Sequence, residues 1–358
     1  MTVPVIVGTG LIALDVVFQG DADAIVRQCA GGTTGNVLTI LRYLGWKSVP
    51  VARLADDRAR AVVQADLMRW GVDVRFLGLA PQTPTPIIVE RVLRTENGEA
   101  VHRFSWTCPC CGAWLPRYRP VGARASEQVV SEIPVPTVFF FDRPSPGAVA
   151  LARNYAAAGA LVMFEPSASG DRAAFEPALA IADIVKYSEQ RFAKLPAHRP
   201  SGGRRLEIQT LGVDGLRYRI GTGRRAGSWR HLPAIAARDV SDTAGAGDWC
   251  TAGLLTQVAA GARSGFAEVG DEEVEAALRY GQALSAWNCR FEGARGGMYD
   301  QSRRDFEREV DALLKGSDQA KRSAPETPRC EPLSDICPSC PQAVECMRPL
   351  QYVHKLLA

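Results

Sequence analysis

Short apolar runs spaced by helix-length segments predict an α/β fold, with a mostly parallel central sheet flanked by helices. Residues 3–7, 137–141 and 161–164 are the clearest such runs. An Ala-rich segment over residues 148–158 separates the last two and reads as a crossover helix. Residues 81–122 break this rhythm. They hold two alternating strands, 87–92 and 100–106, and then a stretch rich in Pro, Cys and Arg, so they read as a small β lid. Further on, residues 249–255 read as a helix, and residues 271–289 as a long one. Phe306, Val310, Leu313 and Leu314 give the last core helix its apolar face. Residues 316–329 are polar with two prolines and read as a linker, which leaves residues 1–315 as the main domain and 330–358 as a cysteine-rich tail.

Composition narrows the function. A hydrophobic content of 46% in 358 residues supports a sizeable core, and a net charge of +3 is too close to neutral to argue for nucleic acid. The N-terminus lacks a charged-then-apolar leader, and no apolar stretch approaches the roughly 20 residues that span a bilayer. A cytoplasmic protein with no membrane association is the expectation.

The most informative stretch is Asp242-Thr243-Ala244-Gly245-Ala246-Gly247-Asp248. A small-residue turn that opens a helix leaves backbone N–H groups unpaired at the positive end of the helix dipole, which suits a phosphate. Asp248, in the first turn, is placed to accept a proton from an attacking hydroxyl. Anion cradle and adjacent base are what phosphoryl transfer to an alcohol requires. The plain alternative is an Asp-capped helix after a glycine turn.

This heptapeptide resembles the second signature, D-T-x-G-A-G-D, of the PfkB or ribokinase-like carbohydrate kinases. Gly31-Gly32-Thr33-Thr34-Gly35-Asn36 is similar to the first signature, and Thr210-Leu211-Gly212-Val213-Asp214-Gly215 to the family's T-x-G-x-x-G nucleotide turn. The pieces occur in family order over about the first 300 residues. The resemblance implies a ribokinase-like fold and ATP-dependent, Mg²⁺-requiring phosphorylation of a sugar or nucleoside. It implies that Asp248 is the base and that Gly245, Ala246 and Gly247 form the anion hole. Asp15, Gly31, Gly32 and Asn36 would meet the acceptor; Thr210, Gly212, Gly215, Asp242 and Thr243 would line the ATP side. The family's lid often pairs with a second subunit, so a homodimer through the lid is expected. Three departures stand out. Ser188 and Arg191 occupy the key places of the N-x-x-E motif, with Glu189 between them. Glu165-Pro166-Ser167 replaces Asp-Pro-Asn, and Arg53-Leu54-Ala55-Asp56-Asp57 lacks the flanking glycines.

Ten cysteines in such a chain call for an explanation other than disulfides. Cys29, Cys250 and Cys289 stand singly among small or apolar residues and read as packing residues. Cys330, Cys337, Cys340 and Cys346 have the spacing C-x6-C-x2-C-x5-C. That spacing resembles the [4Fe–4S] loop of endonuclease III and MutY type glycosylases, which implies an iron–sulfur cluster, with zinc as the alternative. No helix-hairpin-helix turn precedes it, so DNA repair does not follow. Cys108, Cys110 and Cys111, with His102, are a second candidate set, for zinc in the lid. Arginines and aromatics interleave around them and can stack on a base or sugar. Two further functions remain open: a ligand-binding regulator with weak chemistry and a redox-sensing iron–sulfur tail, and a nucleic-acid-associated protein.

Overall fold

The computed structural model describes residues 2–19, 25–79, 82–94, 100–168, 172–196, 203–222, 227–317 and 336–340. The chain opens with β1 (Val5–Thr9), β2 (Ala13–Gln19) and β3 (Ile25–Gly31), then α1 (Thr33–Tyr43), β4 (Lys47–Val51) and α2 (Arg58–Arg69). Next come β5 (Ile87–Arg94), β6 (Ala100–Ser105), α3 (Ala123–Glu132), β7 (Val138–Phe141), α4 (Pro146–Ala157), β8 (Leu161–Phe164) and α5 (Arg172–Ile181). β9 (Ile184–Ser188), β10 (Arg204–Thr210), β11 (Leu216–Thr222) and β12 (Arg230–Leu232) follow. The helices α6 (Ala246–Val258), α7 (Ala262–Glu268), α8 (Asp271–Asn288), α9 (Gly296–Asp300) and α10 (Arg303–Leu314) close the domain.

An eight-stranded sheet runs in the order β12-β11-β10-β9-β8-β7-β1-β4. Neighbours from β10 through to β4 pair in parallel, and β11 and β12 add an antiparallel edge. The strand period of two sends successive side chains to opposite faces. Val138 and Phe140 enter one apolar cluster with α1, α6, α8 and α10, whereas Phe139 and Phe141 enter another with α3, α4 and α5. Both faces are therefore covered, as expected of near-continuous apolar strands. Local chemistry fixes the helix starts: Ser145 accepts from the Ala148 amide at 3.2 Å with Pro146 following, and Asp57 accepts from the Arg60 amide at 2.8 Å. No helix among the described residues is long and apolar enough to cross a membrane.

A second sheet has the order β3-β2-β5-β6. The expected lid strands are its β5 and β6. β2 and β3, from the first tenth of the chain, make up the other half, with β2 parallel to β5 and antiparallel to β3. Their short length and early position hid that pairing, because strand partners a long way apart leave no local signal.

Helices α6 and α8 approach so closely that glycine is needed on both. A Cβ on Gly253 would come 2.6 Å from the Gly281 Cα, and one on Gly281 would come 2.6 Å from the Cys250 carbonyl oxygen. Gly281→Ala should force the helices apart and cost about 1–3 kcal/mol, as overpacking usually does. Urea unfolding of the variant checks this; an unchanged midpoint would show that the contact is slack.

Candidate active site

The turn before α6 brings its backbone to one point. Gly245 has φ of 72°, in the left-handed region, and a Cβ there would lie 2.2 Å from the Ala294 carbonyl oxygen. Asp242 is buried beneath the turn, its two carboxylate oxygens accepting from the Ala244 amide at 2.9 Å and the Gly293 amide at 2.8 Å. It thus ties the loop to the segment after α8. The amides of Gly245, Gly247 and Asp248 form no hydrogen bond among the described residues, whereas that of Ala246 reaches the Thr243 carbonyl at 3.3 Å. Ala246 thus turns its amide inward, while Gly245, Gly247 and Asp248 leave theirs open.

Asp248 is buried, and its pKa is pushed up to about 7 by burial first and by the nearby charge of Glu165 second. Asn36 Nδ2 donates to Asp248 Oδ2 at 2.8 Å and holds the carboxylate in place. Behind Asn36 stands Arg295, wholly buried, whose Nε donates to Asn36 Oδ1 at 3.1 Å and whose Nη2 pairs with Asp66 Oδ2 at 2.9 Å. Arg295 also donates to the Ala30 carbonyl, and Asp66 accepts the Ala30 amide at 3.0 Å. A relay from Asp66 through Arg295 and Asn36 therefore ends on Asp248, and the same pair clamps the backbone just before Gly31 and Gly32. Gly32, with φ of 76°, precedes helix α1, where a Cβ would strike the Leu11 carbonyl oxygen at 2.5 Å.

On the other side of the turn, Lys186 from β9 pairs with Glu165 at the end of β8, and Thr251 donates to the second Glu165 oxygen at 2.5 Å. A Cβ on Gly247 would lie 3.5 Å from Lys186 Nζ. A buried ammonium thus faces the open amides. Glu189 and Arg191, at the place of the missing N-x-x-E motif, are both exposed after β9. The charges near the turn come from Glu165 and Lys186 instead. A lysine inside the apolar run Ile184-Val185-Lys186-Tyr187 was the signal for this, because an unpaired buried ammonium is costly.

Asp15 lies on β2, paired in register with Cys29 and Ile88. Burial raises its pKa to about 7, and its Oδ1 has no hydrogen-bond partner among the described residues. Gly31 leaves room for it: a Cβ there would sit 1.7 Å from Asp15 Oδ2. Glu90 on β5 is a further buried carboxyl, held well above the usual carboxylate range by burial and by Asp242 and Asp15. Sequence reading missed Glu90 along with Arg295 and Asp66. Thr210, Gly212 and Gly215 form the β10–β11 turn at the edge of the large sheet, where Leu211 N donates to the Gly215 carbonyl at 2.8 Å. Val213 at its tip is 93% exposed, so this turn is a surface rather than a core feature.

The sequence matches the pfkB family carbohydrate kinase description over residues 148–301, a span that contains β8, β9 and the Asp242–Asp248 turn. A fructokinase of Klebsiella pneumoniae is 28% identical over 261 residues, 67% of this chain and 80% of that protein. An ATP-dependent ribose-1-phosphate kinase of Halopiger xanaduensis is 28% identical over 287 residues, 77% of this chain and 87% of that one. The chain is thus similar to PfkB-type carbohydrate kinases. The structure of an Arabidopsis thaliana ribokinase, complexed with ribose and ATP, shares this fold with a TM-score of 0.60 and 17% identity, over 88% of this chain and 99% of that one.

The described cysteines group across the two expected sets. Cys330 and Cys346 lie outside the described residues, as does the side chain of His102. Cys337 and Cys340 stand with Cys108 and Cys111, all four sulfurs within 4.8 Å of one another. Cys110 is exposed and does not join them. Cys29, Cys250 and Cys289 are buried singly, as packing residues should be.

The buried carboxyl makes a prediction about stability. Asp248 binds its proton more tightly in the folded chain than at its unfolded value of 3.8, so its contribution is fully present below that pH and is lost as pH rises through about 7. Asp248→Asn removes the ionisable group. Its melting temperature should exceed that of the parent by a few degrees above pH 7, with the gap closing towards pH 4. Thermal unfolding across that range, without ligands, checks it; a gap independent of pH would contradict it.

Proposed function

We propose that the protein transfers the γ-phosphoryl group of ATP to a hydroxyl of a sugar or nucleoside, with Asp248 as general base. The observation that carries this reading is a buried carboxyl of near-neutral pKa beside three open amides at a helix start. A base with a pKa near the working pH is ionised often enough to act and basic enough to take a proton. Asp248 accepts the hydroxyl proton as the acceptor oxygen bonds to phosphorus and the bond to the ADP oxygen breaks. The amides of Gly245, Gly247 and Asp248, with the Lys186 ammonium, stabilise the negative charge on the phosphoryl oxygens. Asp15, with an oxygen lacking a protein partner, takes the acceptor's neighbouring hydroxyls, and Gly31, Gly32 and Asn36 shape that side. The β10–β11 turn, with Thr210, Gly212 and Gly215, and Thr243 before the cradle border the ATP side.

Glu165 beside the cradle does not present an open oxygen for magnesium, since Lys186 pairs with one and Thr251 donates to the other. Nor does Asp242, since both of its oxygens already accept amides. The relatives named for fructose and ribose 1-phosphate support a sugar or sugar-phosphate acceptor. The intact cradle and base favour catalysis over a ligand-binding regulator, and with N-x-x-E lost the charges beside the turn are those of Glu165 and Lys186.

ADP release with ATP and Mg²⁺ should depend on an acceptor from a panel of sugars, sugar phosphates and nucleosides. Asp248→Asn should lower it by roughly 10²–10⁴-fold, the usual contribution of a general base. Undiminished turnover in that variant would remove Asp248 from the mechanism. Asn36→Ala takes away a hydrogen bond that lowers the Asp248 pKa. The acid limb of its pH–rate profile should therefore move to higher pH, and a limb left in place would mean that another group titrates.

A further inference from the structure

Two turns of the same sequence type meet at the edge of the small sheet. Cys108-Pro109-Cys110-Cys111-Gly112 follows β6 and is closed by the Thr107–Trp114 bridge. Within it the Cys108 amide donates to the Ala113 carbonyl and the Gly112 amide to the Cys108 carbonyl, both at 2.8 Å, with Gly112 at φ of 73°. Cys337-Pro338-Ser339-Cys340 makes the second turn, where the Cys340 amide donates to the Cys337 carbonyl at 3.2 Å. The amides of Cys110 and Cys111 point at the Cys108 sulfur, and that of Ala113 at the Cys111 sulfur. Amides aimed at sulfur are the outer contacts that steady thiolate ligands.

The spacing of the sulfurs selects the guest. Cys108 Sγ stands 3.6 Å from Cys340 Sγ, and Cys111 Sγ stands 3.8 Å from Cys337 Sγ. A regular tetrahedron of thiolates with metal–sulfur bonds of about 2.3 Å has edges of about 3.8 Å. A cubane cluster holds each thiolate on a separate iron, about 6 Å or more apart, and so needs a wider cage than the 4.8 Å limit here. Disulfides, at about 2.05 Å between sulfurs, would need the pairs to close by well over an ångström.

We propose that Cys108, Cys111, Cys337 and Cys340 bind one zinc ion, which fastens the C-terminal segment to the small sheet. The two C-x2-C turns supply four soft ligands in a closed set, the form of a structural rather than a catalytic site. Of the described residues 336–340, Ile336 and Cys337 are buried, against a cluster that includes Leu14, Val16 and Leu115. Two apolar side chains offset little of the backbone entropy lost in ordering five residues, and metal ligation adds the remainder. The ion would thereby join parts of the chain 232 residues apart.

Metal analysis of the purified full chain decides the matter. One zinc per chain is expected, unchanged in Cys110→Ser, Cys330→Ser and Cys346→Ser. It should fall to below about a tenth in Cys108→Ser and in the double variant Cys337→Ser/Cys340→Ser, a loss of more than tenfold in bound metal. Should those variants fail to fold, thiol titration of the parent serves instead. Four thiols should become reactive only after chelation, with one zinc released, and cobalt put in zinc's place should show the intense visible bands of tetrahedral thiolate ligation. Four irons per chain with a brown chromophore lost in Cys330→Ser would overturn the proposal. So would zinc retained in the Cys108 and Cys337/Cys340 variants, or a metal-free chain with these sulfurs paired as disulfides.

Discussion

Helix α6 touches helix α8 through Gly253 and Gly281, and that contact fixes where Asp248 stands. Larger residues would lift the helix from its neighbour and carry its first turn away from Asn36 and Lys186. Trp249, one residue after Asp248, packs edge to face on Trp287 at 5.2 Å between ring centres, and its indole nitrogen donates to the Ala294 carbonyl. The helix is therefore pinned along its length and at its start. The glycine turn, the Asp248 carboxyl and the salt bridge beside them depend on that seat.

Electrostatics around the turn is arranged at a cost. Glu165 and Asp248 are like charges in a poorly solvated place, and Glu165 raises the Asp248 pKa. Lys186 offsets this by pairing with Glu165, and a buried pair of this kind is worth little to stability in itself. Arg295 lies deeper and never faces the cradle. Its charge is spent on Asp66, Asn36 and the Ala30 carbonyl, so its contribution is the orientation of groups that do reach the site.

Much of this was legible in the chain. The heptad from Asp242 to Asp248 names its own chemistry, because small residues between carboxylates have few other uses at a helix start. The strands of the large sheet could be read from their apolar runs, and Asp15 from its place after Gly8-Thr9-Gly10 by resemblance. Other features had no local signature. Asp66 and Arg295 meet across 229 residues, and nothing in either neighbourhood announces the other. Cysteine spacing has the same limit: C-x2-C sets the shape of one turn and says nothing about which turn it faces. The Ala246 amide shows the finer limit, since a peptide's tilt by one hydrogen bond is invisible in residue names.

The strand order of the small sheet has a mechanical meaning. Because β2 is hydrogen-bonded on one side to β3 and on the other to β5, Asp15 belongs to the sheet's interior rather than to the large sheet's rim. Any rigid rotation of that sheet against the large one moves Asp15 along with it. The four strands and Asp15 are then one body, and the distance from Asp15 to Asp248 follows a single angle between the sheets rather than two independent motions.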